Sequence, residues 1–279
     1  PYAALHANAL FAIADKKGIS REQMASPGEE YSRVQQLVEN SFTFKHGFMR
    51  YGGSEKSFEN AVLWHQDINH PTSILSDRIE SEIRQLIVDH PGIGYLSLDE
   101  LICQKFPDLF TPDSELIRVC SNSYCNLENF KRDYILLRDQ DRPEKRKIEI
   151  ASIGQALHDL GSKLGYQTSE DNPVLWKNDF EISHVFFVLS TAELGRVVFD
   201  NPYPANLSII VVPGARSNLL LYKIRNNFYL DQIIDQGWRF LKYRHLRHLL
   251  DSPTLNRDNL DIELSLDPLT ESPAQLRLL

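Results

Sequence analysis

Two short stretches, "ISHVFFVLS" (residues 182–190) and "LSIIVVPG" (207–214), are apolar almost without interruption. In an extended strand successive side chains point to opposite faces, so an unbroken apolar run makes a strand that needs cover on both sides. Between them "TAELGRVVFD" reads as a short helix. Before them "EIASIGQALHDLGSKLGY" puts Ile153, Leu157, Leu160 and Leu164 on one helical face. This alternation predicts a sheet with helices on both faces, and residues 148–279 are assigned to an α/β domain. "SNLLLYKIRNN" and "RFLKYRHLRHLL" are expected as its further helices, and the proline-broken tail "DPLTESPAQLRLL" as a surface segment.

The rest of the chain divides into two more regions. Residues 1–73 read as helical: "YAALHANALFAIADKKG" stops at Gly18, "SPGEEYSRVQQLVENSFTF" begins with a Ser26 cap before Pro27, and "GGSEKSFENAVLWHQDI" follows a Gly-Gly break. Residues 74–147 hold three amphipathic segments: "SDRIESEIRQLIVDHPG", "SLDELICQKFP" with a Ser97–Glu100 capping box, and "TPDSELIRVCSNSYC" with Thr111-Pro112 at its start. "DYILLRDQDRPEKRKIEI" then reads as a strand, a charged turn and a second strand. Three helices and a hairpin are the order of a winged helix-turn-helix, whose third helix would face DNA; with Asp113 and Glu115 on that helix beside Arg118, a packing or protein-binding module is the reading preferred for it. The fold class expected is α+β: helical segment, winged helix, α/β domain.

Composition limits the function. The formal charge of −8 argues against indiscriminate coating of nucleic acid, which requires neutralised phosphates, but leaves room for a local basic face. Cys103, Cys120 and Cys125 make no even disulfide framework and no zinc-ligand spacing, so they read as thiols of a reducing, cytoplasmic compartment, with no metal or cofactor expected. No apolar run is long enough for a membrane span. The chain opens at Pro1 rather than Met and is expected to be a piece of a longer protein.

Three motifs invite a chemistry. The order of helix, paired strands and further helices after residue 148 is similar to restriction-endonuclease-like folds, which hold magnesium with an Asp on one strand and Glu-x-Lys on the next. "ISHVFFVLS" carries no acid, Leu189 and Ser190 stand where Glu and Lys are wanted, and Asp179 and Glu181 precede the strand without a following lysine. A degenerate, non-cleaving relative is therefore expected. "FDNPYPA" (199–205) has Asn201-Pro202-Tyr203-Pro204, one proline short of the amino-methyltransferase loop, and reads as a turn. His158, His184, His245 and His248 have no nucleophile or acid at a recognisable spacing and read as structural.

The basic residues remain. From Ala205 to Asp251 there are seven Lys/Arg (Arg216, Lys223, Arg225, Arg239, Lys242, Arg244, Arg247) against three Asp, and "RFLKYRHLRHLL" is the most basic stretch. Read as a helix, it puts Trp238, Leu246, Leu249 and Leu250 inward and Arg244, Arg247 and His248 outward. The Pro213-Gly214 turn before Ser217 reads as an ordinary strand-to-helix turn, and with Arg216 beside it offers the alternative of a phosphate cradle. In the winged helix, Arg118 lies on the reading helix, and Arg138, Arg142, Lys145, Arg146 and Lys147 on the wing. Arg216, Lys223, Arg239, Lys242, Arg244, Arg247, Arg118, Lys145 and Arg146 are the expected nucleic-acid contacts.

"YAALHANAL", "RYGGSEKSFENAVLWH", "LRDQDRPEKR", "LGYQTS" with Trp176, "IIVVPGARSNLLLYKIRNN" and "RFLKYRHLRHLL" before "DPLT" together resemble a non-catalytic region accompanying bacterial DNA methylases of restriction-modification or phage-defence systems. The resemblance implies a DNA-binding or DNA-positioning module whose catalytic domain or subunit is absent from this chain, and it carries over no catalytic residue. The alternatives are an active metal-dependent nuclease and a protein-interaction scaffold without affinity for nucleic acid.

Overall fold

The computed structural model describes residues 2–18, 20, 28–41, 48–51, 62–65, 74–107, 110–126 and 134–269. They fall into two units, Pro1–His70 and Pro71–Leu279. In the first, helices α1 (Tyr2–Lys17) and α2 (Glu29–Ser41) bury Leu10, Ala14 and Val34 together. The expected third helix is not what Val62–His65 forms. That segment is strand β2, antiparallel to β1 (Phe48–Tyr51), with Phe48 opposite His65. Aromatic and branched residues favour a pleated strand once a partner strand is available, and here pairing overrides the helical reading.

The second unit begins with the three expected helices, α3 (Leu75–Asp89), α4 (Tyr95–Lys105) and α5 (Ser114–Tyr124). The cap of α5 is Asp113, whose carboxylate accepts from Leu116 N at 2.7 Å; the cap expected at Thr111 lies two residues too early. The wing is absent as drawn from the sequence. Leu137 makes only an isolated bridge to Cys125, and Ile135 hydrogen-bonds the α3–α4 loop at Gly92 and Ile93. The expected turn and second strand are instead the opening of α6 (Pro143–Lys163). Pro143 stands at the first helical position, where its missing N–H costs nothing, and Glu144 follows in the first turn, so the helix starts six residues before the expected Glu149.

After α6 come β3 (Gln167–Thr168), β4 (Val174–Asn178), β5 (Glu181–Val188), the short α7 (Gly195–Phe199), β6 (Ser208–Val212), α8 (Ser217–Asn226), α9 (Phe228–Asp235), β7 (Arg239–Lys242), α10 (Tyr243–Asp251) and α11 (Leu260–Leu264). The strands lie in chain order, β3-β4-β5-β6-β7. The first two pairings are antiparallel and the last two parallel. Ser183 is an extra residue in β5, since Trp176 pairs with His184 and Lys177 with Ile182. The basic stretch expected as one helix is thus two elements: Arg239–Lys242 completes the sheet, and the helix starts only at Tyr243.

The two apolar strands are covered on both faces, as their composition demands. Val174, Trp176, Phe186, Val188, Ile209 and Val211 meet α6, α10 and α11 on one face. Val185, Phe187, Ile210 and Val212 meet α8, α9 and the three helices α3–α5 on the other. Residues 74–147 and 148–279, expected as separate domains, therefore share one core. The chain crosses from face to face between Leu264 and Leu269, passing the end of β7 where Lys242 Nζ donates to Asp267 and to the carbonyl of Pro268.

Gly161 shows how closely α6 lies on the sheet. A Cβ there would come 2.5 Å from Thr168 Cγ2 and 2.6 Å from Trp176 Nε1, and Trp176 is fully buried with Nε1 donating to Leu157 O. Gly161→Ala is expected to destabilise the chain by about 1–3 kcal/mol, read as a lower urea midpoint at unchanged slope.

Candidate nucleic-acid interface and a buried ion network

Four of the nine expected contacts are buried and cannot reach a phosphate in this structure. Arg216 is fully buried at the start of α8. Its Nε donates to Ser190 O at 3.0 Å, its Nη1 to Ser123 O and to Ser123 Oγ, its Nη2 to Asp141, and its guanidinium lies 3.6 Å from the centre of the Tyr124 ring. Lys223, two turns further along α8, donates to Asp77 at 2.6 Å, to Glu80 and to Ala192 O at 3.0 Å. Arg146 is held by Asp141 at 2.7 Å and by Glu149, and Lys242 by Asp267 at 2.7 Å. A buried cation without such partners would be prohibitively costly, so these residues are spent on holding the fold.

The two carboxylates that meet Lys223 arrive from α3. Asp77 and Glu80 sit one turn apart on α3, on the stripe that also buries Ile83 and Ile87. Asp77 accepts from Gly195 N and Glu80 from Ala192 N, each at 2.7 Å, and the Tyr124 hydroxyl also donates to Glu80. The loop following β5 is thereby filled from three sides, with Tyr243 donating to Leu189 O at 2.7 Å. In open α/β sheets the carboxyl ends of the strands are where ligands enter. Here that ground is occupied by the protein's own ion pairs. Burial pushes the carboxyl of Asp77 above its ordinary range. In Glu80 burial acts in the same direction, but Lys223, Tyr124 and the Ala192 N–H outweigh it and keep the group below its ordinary range.

The other five expected contacts are at least partly accessible, and each has a carboxylate beside it. Arg118 pairs with Glu115, Lys145 with Asp139 and Arg239 with Asp261. On α10, Arg244 (67% exposed) pairs with Asp267 (21%) and Arg247 (52%) with Glu149 (24%). Among these, α10 presents its two arginines more openly than the carboxylates that hold them. An open groove of about 480 Å³ runs between α6 and α10, with Arg247, Ser152 and Gln155 on its walls and Asp159 and Asp251 also lining it.

The remaining motifs are absorbed locally. Asn201 Nδ2 donates to Tyr203 O and Ser208 Oγ while Tyr203 N donates back to Asn201 Oδ1, which closes the turn on itself. His184 lies against Trp176 and Phe186 and contacts Asp261 at 3.4 Å, and His245 Nε2 donates to Glu263 O at 2.6 Å. Cys120 and Cys125 are buried thiols. Asp179 and Glu181 flank the exposed Phe180 at the β4–β5 turn, with Asp179 at φ 55°. Among the described residues no three His, Cys, Asp or Glu side chains gather as a metal-ligand set, and no helix is long and apolar enough to cross a membrane.

Comparison with protein-family models, with curated proteins and with solved structures finds no match to this chain.

Two outcomes follow. Lys223→Ala leaves Asp77 and Glu80 buried without their cation and is expected to cost about 3–5 kcal/mol of stability in urea unfolding. Burial pulls Asp261 and Asp267 upward, but Arg239 with His184, and Arg244 with Lys242, hold both carboxyls below the ordinary 3.8. Their contribution is complete above that value and is lost as pH falls through the lower folded values. Hydrogen-exchange protection of Leu260–Leu264, corrected for intrinsic rates, is expected to hold from pH 7 to 5 and to fall first below about pH 4. Asp261→Asn and Asp267→Asn together should flatten that fall.

Proposed function

We propose that this chain is a non-catalytic DNA-positioning module of a bacterial DNA-modification or defence protein, working in the cytoplasm beside a catalytic domain or subunit outside this sequence. The observation that carries the reading is the strand order behind α6: antiparallel, antiparallel, then parallel, with helices following. That order is similar to restriction-endonuclease-like folds. A cleaving site of that kind needs an Asp and a Glu-x-Lys on neighbouring strands, facing solvent and metal. Here Val174, Trp176, Phe186 and Val188 fill the paired strands and are all buried. Asp179 and Glu181, the acids on which an active nuclease would depend, lie at the outer turn with no lysine after them on β5.

Contact with DNA in this reading falls to Arg244 and Arg247 on α10, with Lys145 at the start of α6 and Arg118 on α5 as further exposed cations. Of the expected winged helix the three helices are present, and α3 and α5 turn Asp77, Glu80 and Ser123 toward α8 and the turn before it. A second reading, a protein-interaction scaffold, is favoured by the carboxylate beside every one of the nine cations and by the net charge of −8.

Duplex-DNA binding at two salt concentrations separates them. Salt-sensitive binding is expected, with the salt slope reduced by about two in Arg244→Ala/Arg247→Ala of intact fold and no cleavage on adding magnesium. Failure to bind at low salt would transfer the assignment to the scaffold, and magnesium-dependent cleavage lost in Asp179→Asn would establish the nuclease.

A further inference from the structure

Arg247 is the exposed end of a continuous chain of contacts that runs into the core. Its Nη2 donates to Glu149 Oε1 at 3.2 Å, and the other oxygen of Glu149 accepts from Arg146. Arg146 donates to Asp141 at 2.7 Å, Asp141 accepts from Arg216, and Arg216 reaches Ser123 O and the Tyr124 ring in α5. Arg138 joins at Asp141 Oδ2, 3.2 Å away, and also donates to the carbonyls of Asn122 and Ser123. Four guanidinium groups thus share two carboxylates, Asp141 and Glu149, and three of the four are largely buried. Backbone carbonyls supply the remaining acceptors, but they carry no full charge. Within this chain of direct contacts the cations outnumber the carboxylates, and it meets solvent at the half-exposed Arg247, beside a groove where Ser152 and Gln155 offer further polar groups.

We propose that this opening takes a phosphate group, and that the bound anion tightens α5 onto the sheet. A phosphate at Arg247 supplies the missing negative charge next to Glu149. Glu149 is then relieved of Arg247 and can hold Arg146 with both oxygens, which fixes Asp141 and, through it, Arg216 on the carbonyls of α5. The response travels through contacts that all exist in the unliganded chain, so it requires no rearrangement of the backbone. Asp159 and Asp251 line the same groove and oppose an anion beside them, so the phosphate is assigned to Arg247 itself. The inference rests on the reading of α10 as a phosphate-facing surface, and it adds that occupancy there is felt some way off, in α5.

The test is amide hydrogen exchange of Ser114–Tyr124 in the full chain, with inorganic tripolyphosphate or a short duplex as the anion, against chloride at equal ionic strength. Tripolyphosphate is expected to slow exchange of α5 about two- to fivefold, the size of one partly screened ion pair, in the wild type and in Arg225→Ala. Arg225 is exposed near the end of α8 and is not among the proposed contacts, so it is the control for loss of surface charge. In Arg247→Ala the slowing should vanish. Unchanged α5 exchange in the wild type, or equal slowing in Arg247→Ala, would overturn the proposal. If tripolyphosphate slows α5 while the duplex does not bind, the phosphate site stands and the DNA reading fails. If the duplex binds through Arg247 and α5 does not respond, the DNA reading stands and the coupling is refuted.

Discussion

The fold of residues 71–279 depends on one electrostatic constraint: Arg216 and Lys223 are buried with their charges and must be met there. An ionised group carried into the core without partners is worth many kcal/mol against folding. Asp77 and Glu80 on α3, Asp141 before α6 and the carbonyls of Ser123, Ser190 and Ala192 are therefore drawn to the same place. These groups come from both halves of the unit. Hydrophobic contact between α3–α5 and the sheet is not directional, but the ion pairs allow one register only, since a helix sliding by one turn would leave two cations stranded. The network specifies the arrangement, and apolar burial supplies the bulk of its stability.

Much of this was legible in the sequence where periodicity speaks for itself. The apolar runs of β5 and β6 demanded cover on both faces, and α3, α5 and the inward stripe of α6 are where their hydrophobic spacing puts them. The errors came where sequence alone cannot see the partner. Arg239–Lys242 is too short for its spacing to choose between strand and helix, and it becomes a strand because β6 offers a parallel edge. The charged run Arg142–Lys147 suggested a turn between wing strands, yet its residues other than Pro143 form helices well and its proline suits a first turn.

Four of the expected site residues lie in the core for a related reason: a cluster of Lys and Arg in sequence mixes exposed cations with those on a buried stripe. Lys223 follows Leu219 by four residues and precedes Ile224, so it falls on the inner side of α8, and Glu80 stands three residues before Ile83 in the same way. A cation and an acid, each placed on an apolar stripe, are the signal for a buried pair, and that signal was present. What the sequence does not carry is which acid meets which base across a gap of over a hundred residues. For the functional reading the consequence is direct. Of the nine cations expected to meet an anion, five remain accessible and two of these lie on α10, while the strand ends that other α/β proteins open to ligands are here closed by the protein itself.

The central claim, that α3–α5 and the sheet are one cooperative unit locked by buried charge, is tested most directly by unfolding the full chain with two local probes. Cys120 and Cys125 report on α5 through thiol labelling, with Cys103 replaced by serine, and Trp176 and Trp238 report on the sheet through fluorescence, with Trp64 replaced by phenylalanine. The account predicts coincident midpoints in urea. Labelling of both thiols well before the tryptophans respond would show a helical segment that opens by itself, and would contradict it.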